Sequence, residues 1–468
     1  MVMINKDSVV LLRESISASK DYIEICLRED IPIRCINRET GKTKTIPFKF
    51  LHNNNNRFWL QNETWEYFLA KDDFQKIQDK ASEPKPDWKP LTAIPDDELK
   101  TENAAHDQGF GKEYTAFAKM TEAERVRRMK ECENRLNSLI VQKPRQEDRV
   151  TEALVETARD AMLHNHAVLM NVMDIPDDEA KKQTQEMVDS TYDFVKLSSQ
   201  LISTNIFNDD LMNTLVAKSN GTIIQHMNRV YLNGLAFLSY YNKIVSASSI
   251  INKLRVSFDK RYKLFYHSLL PHIHPDDITL EKVFLGGMRA ISEEIFYNWA
   301  VGFLIHDIGK AAAVEYHEGE AAYNRDIVME HVKIGYNSVM NKTNYPREAA
   351  LITGYHHEYY GDPGGYGYFR SYLDQYKKAN PFARQSCCMA YELEPMLDYK
   401  TLAYFPAKIL EIIDVFDSVT DPNRKYRKAM TTEEALAMME EEFITKHPKI
   451  DIILFDIFSR FVREKPSA

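Results

Sequence analysis

Two consecutive histidines, His356 and His357, follow the apolar stretch Ala349-Ala350-Leu351-Ile352. No other feature limits the fold of this chain as tightly. A buried imidazole carries two nitrogens that need partners. A helix that is apolar up to its histidines predicts that both rings are buried. The fold must then bring further polar groups to this point, and metal coordination would satisfy both rings together. Glu358 comes next and could act as an acceptor that orients a ligating histidine; an exposed acid is its ordinary reading.

Other residues of the metal-ligand type cluster from residue 215 onward. His306-Asp307 ends the apolar run from Ala300 to Ile305. Gly309 follows, suited to the left-handed position that closes a helix. His331 lies between these clusters, in Glu330-His331-Val332-Lys333-Ile334-Gly335. Asp414 sits inside Ile412-Ile413-Asp414-Val415-Phe416-Asp417, and buried carboxylates are rarely left unpaired. Asp417, one turn later, reads as a hydrogen-bonded structural acid. His226 is a further single histidine upstream. Taken singly, each has an ordinary reading as a core or surface residue. A ligand set of histidine and carboxylate without thiolate suits iron, manganese or similar ions.

The rest of the chain frames this cluster. Its 468 residues carry a net charge of −9 and no long basic run, which excludes duplex nucleic acid as a partner. No apolar stretch reaches the length of a membrane span. The five cysteines form no CxxC pair, and the start lacks a signal peptide, so the expected location is the cytoplasm. Residues 1–77 read as a small β-rich or α+β regulatory domain, and the proline-rich stretch 78–113 as a linker. Residues 114–208 read as a helical connecting region, with a capping box at Thr121-x-x-Glu124 and long amphipathic helices over 150–173 and 179–202. His164 and His166, two apart on the first of these, read as ordinary helix histidines. Residues 209–468 form the expected catalytic domain, and the whole chain reads as mainly α.

The order His226, His306-Asp307-x-Gly309-Lys310, His331-x-x-x-Gly335, His356-His357-Glu358, Asp414-x-Phe416-Asp417 resembles that of HD-GYP phosphodiesterases, a branch of the HD superfamily of metal-dependent phosphohydrolases. The resemblance covers residues 210–440 and includes a tail at Arg424-Lys425-Tyr426-Arg427. It implies an all-α HD-type helical domain with metal ligands at His226, His306, Asp307, His331, His356, His357 and Asp414. Asp307 would bridge two divalent or mixed-valence ions, iron or manganese. Lys310 would hold phosphate, and Arg424 and Arg427 would hold the dinucleotide. The implied reaction is hydrolysis of cyclic di-GMP to pGpG, with further cleavage to GMP open, by attack of a metal-bridging hydroxide on phosphorus. Asp307 and Lys310 would be its catalytic residues. Implied partners are cyclic di-GMP and a diguanylate cyclase or other signalling protein, and the long helices could pair in a homodimer.

The chain also departs from the family. Gly361-Asp362-Pro363-Gly364-Gly365-Tyr366-Gly367 replaces Asp-Gly-x-Gly-Tyr-Pro, so Gly367 stands where the family has proline. Insertions fall near 243–290 and 370–404, and Lys408 replaces an arginine. Thr222, four residues before His226, replaces the glutamate that serves a third ion in some members, which predicts a dinuclear centre. Two alternatives stay open: another HD-superfamily nucleotide phosphohydrolase, or a non-catalytic module that binds a cyclic dinucleotide.

Overall fold

A computed structural model describes residues 9–11, 26, 31–38, 40, 42–48, 65–82, 116–117, 119–142, 147–203, 223–247, 249–310, 325–360, 365–421 and 429–464. The chain divides into two units, Met1–Ala93 and Ile94–Ala468. Among its described residues the first unit holds four strands, β1 (Val9–Leu11), β2 (Pro32–Asn37), β3 (Thr43–Pro47) and β4 (Trp65–Ala70), and helix α1 (Lys71–Ser82). The strands form one antiparallel sheet in the order β1-β4-β2-β3. Alternation along β2 buries Ile33 and Cys35 and exposes Arg34, the period-2 pattern of a sheet with one covered face. Ile33, Cys35, Tyr67, Leu69 and Ile77 share one small core. Helix α1 runs through residue 77, where the first domain was expected to end. Of the β-prone run 22–27 only Cys26 is described, and it is helical.

The second unit is mostly helical, as its periodicity predicts. Helix α2 (Glu122–Val141) starts at the expected capping box, with Thr121 and Glu124 each accepting from the other's backbone N–H. Helix α3 (Glu147–Val172) follows. The next expected helix is broken at Thr184 into a short segment, Asp177–Gln183, and α4 (Gln185–Ser203).

Four helices carry or lead into the histidine motifs: α5 (Ile223–Ser246), α6 (Glu293–Ile305), α7 (Arg325–Lys342) and α8 (Arg347–Tyr355). Helix α6 is apolar on almost every face and sits between α5 and α8, as expected of a helix at the centre of a core. Close approach there needs small residues. A Cβ on Gly302 would lie 2.7 Å from Ile352, and one on Gly234 would lie 2.5 Å from the ring of Phe303.

The segment 249–290 forms further helices, and 370–404 forms helix α9 (Arg370–Ala379) and two short strands. These strands, β5 (Cys387–Ala390) and β6 (Thr401–Tyr404), pair in parallel. They are the only strands among the described residues of this unit. Helix α10 (Phe405–Thr420) then brings Asp414 and Asp417 into the core, and α11 (Ile452–Glu464) packs on it. No helix among the described residues is long and apolar enough to cross a membrane.

Candidate metal centre

Five chain segments deliver the expected ligands to one buried place. His226 comes from the first turn of α5, His306 and Asp307 from the end of α6, and His331 from α7. His356 and His357 come from the turn after α8, and Asp414 from α10. All seven side chains are buried.

The carboxylate of Asp307 stands between two groups of histidines. Its Oδ1 lies 3.1 Å from His331 Nε2 and 3.6 Å from His356 Nε2. Its Oδ2 lies 3.6 Å from His306 Nε2 and 3.7 Å from His226 Nε2. Two sets have ligand atoms close enough to share an ion: Asp307 with His331, His356 and His357, and Asp307 with His226 and His306. Asp414 joins the second, with Oδ1 2.9 Å from His226 Nε2.

Local backbone chemistry aims these rings. His306 and His356 each sit at the C-cap of a helix and turn Nδ1 back onto the carbonyl three residues earlier: Phe303 O at 2.9 Å and Thr353 O at 2.8 Å. A helix end leaves its last carbonyls unpaired, so each histidine satisfies one of them and keeps Nε2 for the centre. His226 uses a side chain instead: Nδ1 donates to Asp417 Oδ2 at 2.7 Å. Arg229 grips Asp417 through Nε at 2.7 Å and reaches Asp421 at 2.7 Å. These partners fix which ring nitrogen faces the centre. Asp417, expected as a structural acid, thus orients a ligand, and Arg229 holds it in place. The available signal was spacing, since Asp417 follows Asp414, and Arg229 follows His226, by one helical turn.

Burial lowers the His306 pKa to about 4 and holds His331 and His357 below the usual histidine value. These rings are thus neutral near pH 7, the form that ligates metal. Burial also opposes charge on His226, but hydrogen bonds to Asp414 and Asp417 outweigh it and raise its pKa. Burial opposes ionisation of Asp307 too, yet Lys310 and the histidines keep its carboxyl well below the ordinary range. Lys310 donates to Asp307 Oδ2 from a partly exposed position.

The donor set passes a test of fit for metal. His306 is fully buried, and its Nε2 has no hydrogen-bond partner among the described residues. An orphaned nitrogen facing a carboxylate needs an explanation, and an ion held between them supplies one.

Two expectations change. Gly309 is not left-handed; the positive-φ glycines among the described residues are Gly286 and Gly287. A Cβ at Gly309 would stand 2.0 Å from His331 O and 2.7 Å from Gly335 N. Both glycines therefore let α7 press against the His306-Asp307 turn, which is what places His331 beside Asp307. The Glu358 carboxylate faces Arg370, at 3.7 Å, and makes no hydrogen bond to a histidine among the described residues. Burial raises its pKa to about 7, partly offset by Arg370. The orienting role expected of it falls to Asp417 and to backbone carbonyls.

Gly367, the departure from proline, has a local cause. Its N–H and that of Tyr366 donate to His357 O at 3.2 and 3.0 Å, and proline has no N–H to donate. A Cβ there would also lie 2.2 Å from Glu358 Cγ. Tyr366 stacks on the His357 ring at 4.3 Å. Thr222, Arg424 and Arg427 lie outside the described residues.

No family model matches this chain, and no curated protein matches it. Among solved structures, Bd1817, a HDG"Y"P protein from Bdellovibrio bacteriovorus, is similar with a TM-score of 0.36 at 9% identity, over 97% of this chain and 99% of that one. At that level neither fold nor function is carried over from it.

Proposed function

We propose that this protein is a metal-dependent phosphodiesterase that hydrolyses cyclic di-GMP to pGpG. The observation that carries the reading is the division of the histidines by Asp307, whose two oxygens face two separate groups. A carboxylate so placed suits a centre of two ions. His226, His306 and Asp414 would hold one ion with Asp307, and His331, His356 and His357 the other. Iron or manganese suits this donor set.

When bound, such ions supply Lewis acidity and a water activated for in-line attack at phosphorus. The chain's own residues do the rest. The buried rings of His226, His306 and His356 stay aimed, through Asp417, Phe303 O and Thr353 O. Lys310 stands at the partly exposed edge, where its ammonium would offset charge gathering on a phosphoryl oxygen. Arg424 and Arg427 are proposed to hold the dinucleotide, by the motif they occupy.

The test pairs elemental analysis of the purified protein with a cyclic di-GMP hydrolysis assay. Two ions per chain, with pGpG formation lost on chelation and restored by iron or manganese, is the expected result. Metal with cleavage of other nucleotides only would favour a different HD-superfamily hydrolase. Binding without turnover would favour a signalling module, and a protein that takes up no metal would end the reading.

A further inference from the structure

We propose that Lys408 is a positioning residue for the metal centre: its ammonium ties the turn carrying His356 and His357 to the helix carrying Asp414. The inference rests on reading the histidine cluster as a metal centre. Lys408 lies on α10 and is 1% exposed. An ammonium has three N–H donors, and here all three are used. They go to Glu358 O at 2.6 Å, Glu411 Oε2 at 2.7 Å and Lys449 O at 2.9 Å. The ammonium also lies 4.3 Å from the centre of the Tyr360 ring. A buried lysine is tolerated only when paired and fully hydrogen-bonded. Glu411, equally buried and one turn along the same helix, supplies the counter-charge. That pair needs nothing outside α10. The other two donors reach segments far away in the chain, and one of these is the histidine turn.

The carbonyls of that turn show why the reach matters. After α8 ends, Tyr355 O accepts from Glu358 N, and His357 O accepts from Tyr366 N and Gly367 N. Glu358 O is the next acceptor along, and Lys408 takes it. His357 is therefore held on one side by the 365–367 loop and on the other by Lys408. Without that second hold the turn can rotate, and His357 leaves the group it forms with Asp307, His331 and His356. The acceptors of Lys408 all lie off the helices that carry His226 and His306; Asp414 shares α10 with Lys408, but α10 is also packed on α5 and α11 and Asp414 meets His226 directly. The effect should thus fall mainly on the ion at His357, which general destabilisation would not do.

The test uses the full chain and two double variants. Lys408→Met with Glu411→Leu removes both buried charges at similar volume. Lys408→Gln with Glu411→Gln keeps a neutral hydrogen-bonded pair too short to hold Glu358 O, and decides the matter if the first does not fold. Each is read by circular dichroism, by thermal melting without metal, and by iron or manganese content under chelator titration. A folded variant with one tight ion per chain, and the second bound about tenfold or more weakly, is expected from the loss of an outer support. Lys408→Arg, which keeps the donors, should restore the second ion. A folded double variant that holds both ions as tightly as wild type overturns the proposal. So does equal weakening of both ions, which marks a structural role only. Wild-type protein that binds no metal instead removes the reading of the centre, and this inference with it.

Discussion

His226 turns its Nδ1 onto Asp417, 2.7 Å away, and thereby presents Nε2 to Asp307 and Asp414. A carboxylate can only accept, so Asp417 holds a proton on Nδ1, and an ion at the centre would take the Nε2 lone pair in place of a second proton. Asp417→Asn would let the ring adopt the other tautomer. We predict that this variant folds, binds the ion at His226 about 10–100-fold more weakly, and leaves the ion at His331–His357 in place. Metal content along a chelator titration measures both. Unchanged affinity for both ions would rule out the orienting role.

Asp307→Asn should remove cyclic di-GMP hydrolysis and lower metal content without unfolding the chain. Asp307 is the group shared by both candidate sets, and an amide has one oxygen to offer where the carboxylate offers two. The wild-type count should be two ions, with pGpG accumulating ahead of GMP. Anomalous scattering and product chromatography test this. A mutant with full activity and full metal content would exclude the bridging assignment.

Lys310→Ala should retain both ions and slow turnover by about a hundredfold, the usual cost of losing one charge-stabilising donor. The Lys310 side chain meets the Asp307 carboxylate through its ammonium, from a partly exposed position. Metal loss with normal turnover after metal is restored would reverse the role given to it.

Gly309→Ala should be among the most damaging single-methyl changes in the chain. The new Cβ would fall 2.0 Å from His331 O, on backbone that cannot rotate away. Overpacking of this kind costs about 1–3 kcal/mol or more. The strain should also separate His331 from Asp307, so metal binding should drop along with the melting temperature. A variant with wild-type stability and metal content would show that α7 can shift freely.

His164→Leu should make the protein less sensitive to acid. His164 is buried, and among the described residues neither ring nitrogen has a hydrogen-bond partner. Burial, with a smaller push from Arg125, lowers its pKa to about 4 from an ordinary 6.5. As pH falls below 6.5 the unfolded chain takes up this proton first. Stability is therefore lost between pH 6.5 and 4 and levels off below that. The shift corresponds to about 3 kcal/mol. Denaturant melts at pH 7 and pH 5 should show a smaller drop for the variant. His166 keeps its own lowered pKa, so part of the acid sensitivity should remain. Identical pH dependence in both proteins would refute the assignment to His164.

The sequence by itself determined the helical character of the second unit, the capping box at Thr121, and the seven residues now found around one centre. Those features are legible because they are local. Helical periodicity marks a buried face, and a titratable group on that face must have a partner. Tertiary structure alone decided who the partners are. Nothing in the spacing of Gly309 and Gly335 said that both serve one helix contact, since an interhelical approach joins positions with no fixed separation in the chain. Glu358 adjoins His357 in sequence, yet faces Arg370. Asp417 lies 191 residues from His226, yet holds its ring. Lys408 reads on paper as a charge on an apolar helix, and only the arrival of Glu358 O and Lys449 O explains its burial. Hydrogen-bond partners are chosen by proximity in space, and long-range packing sets that proximity.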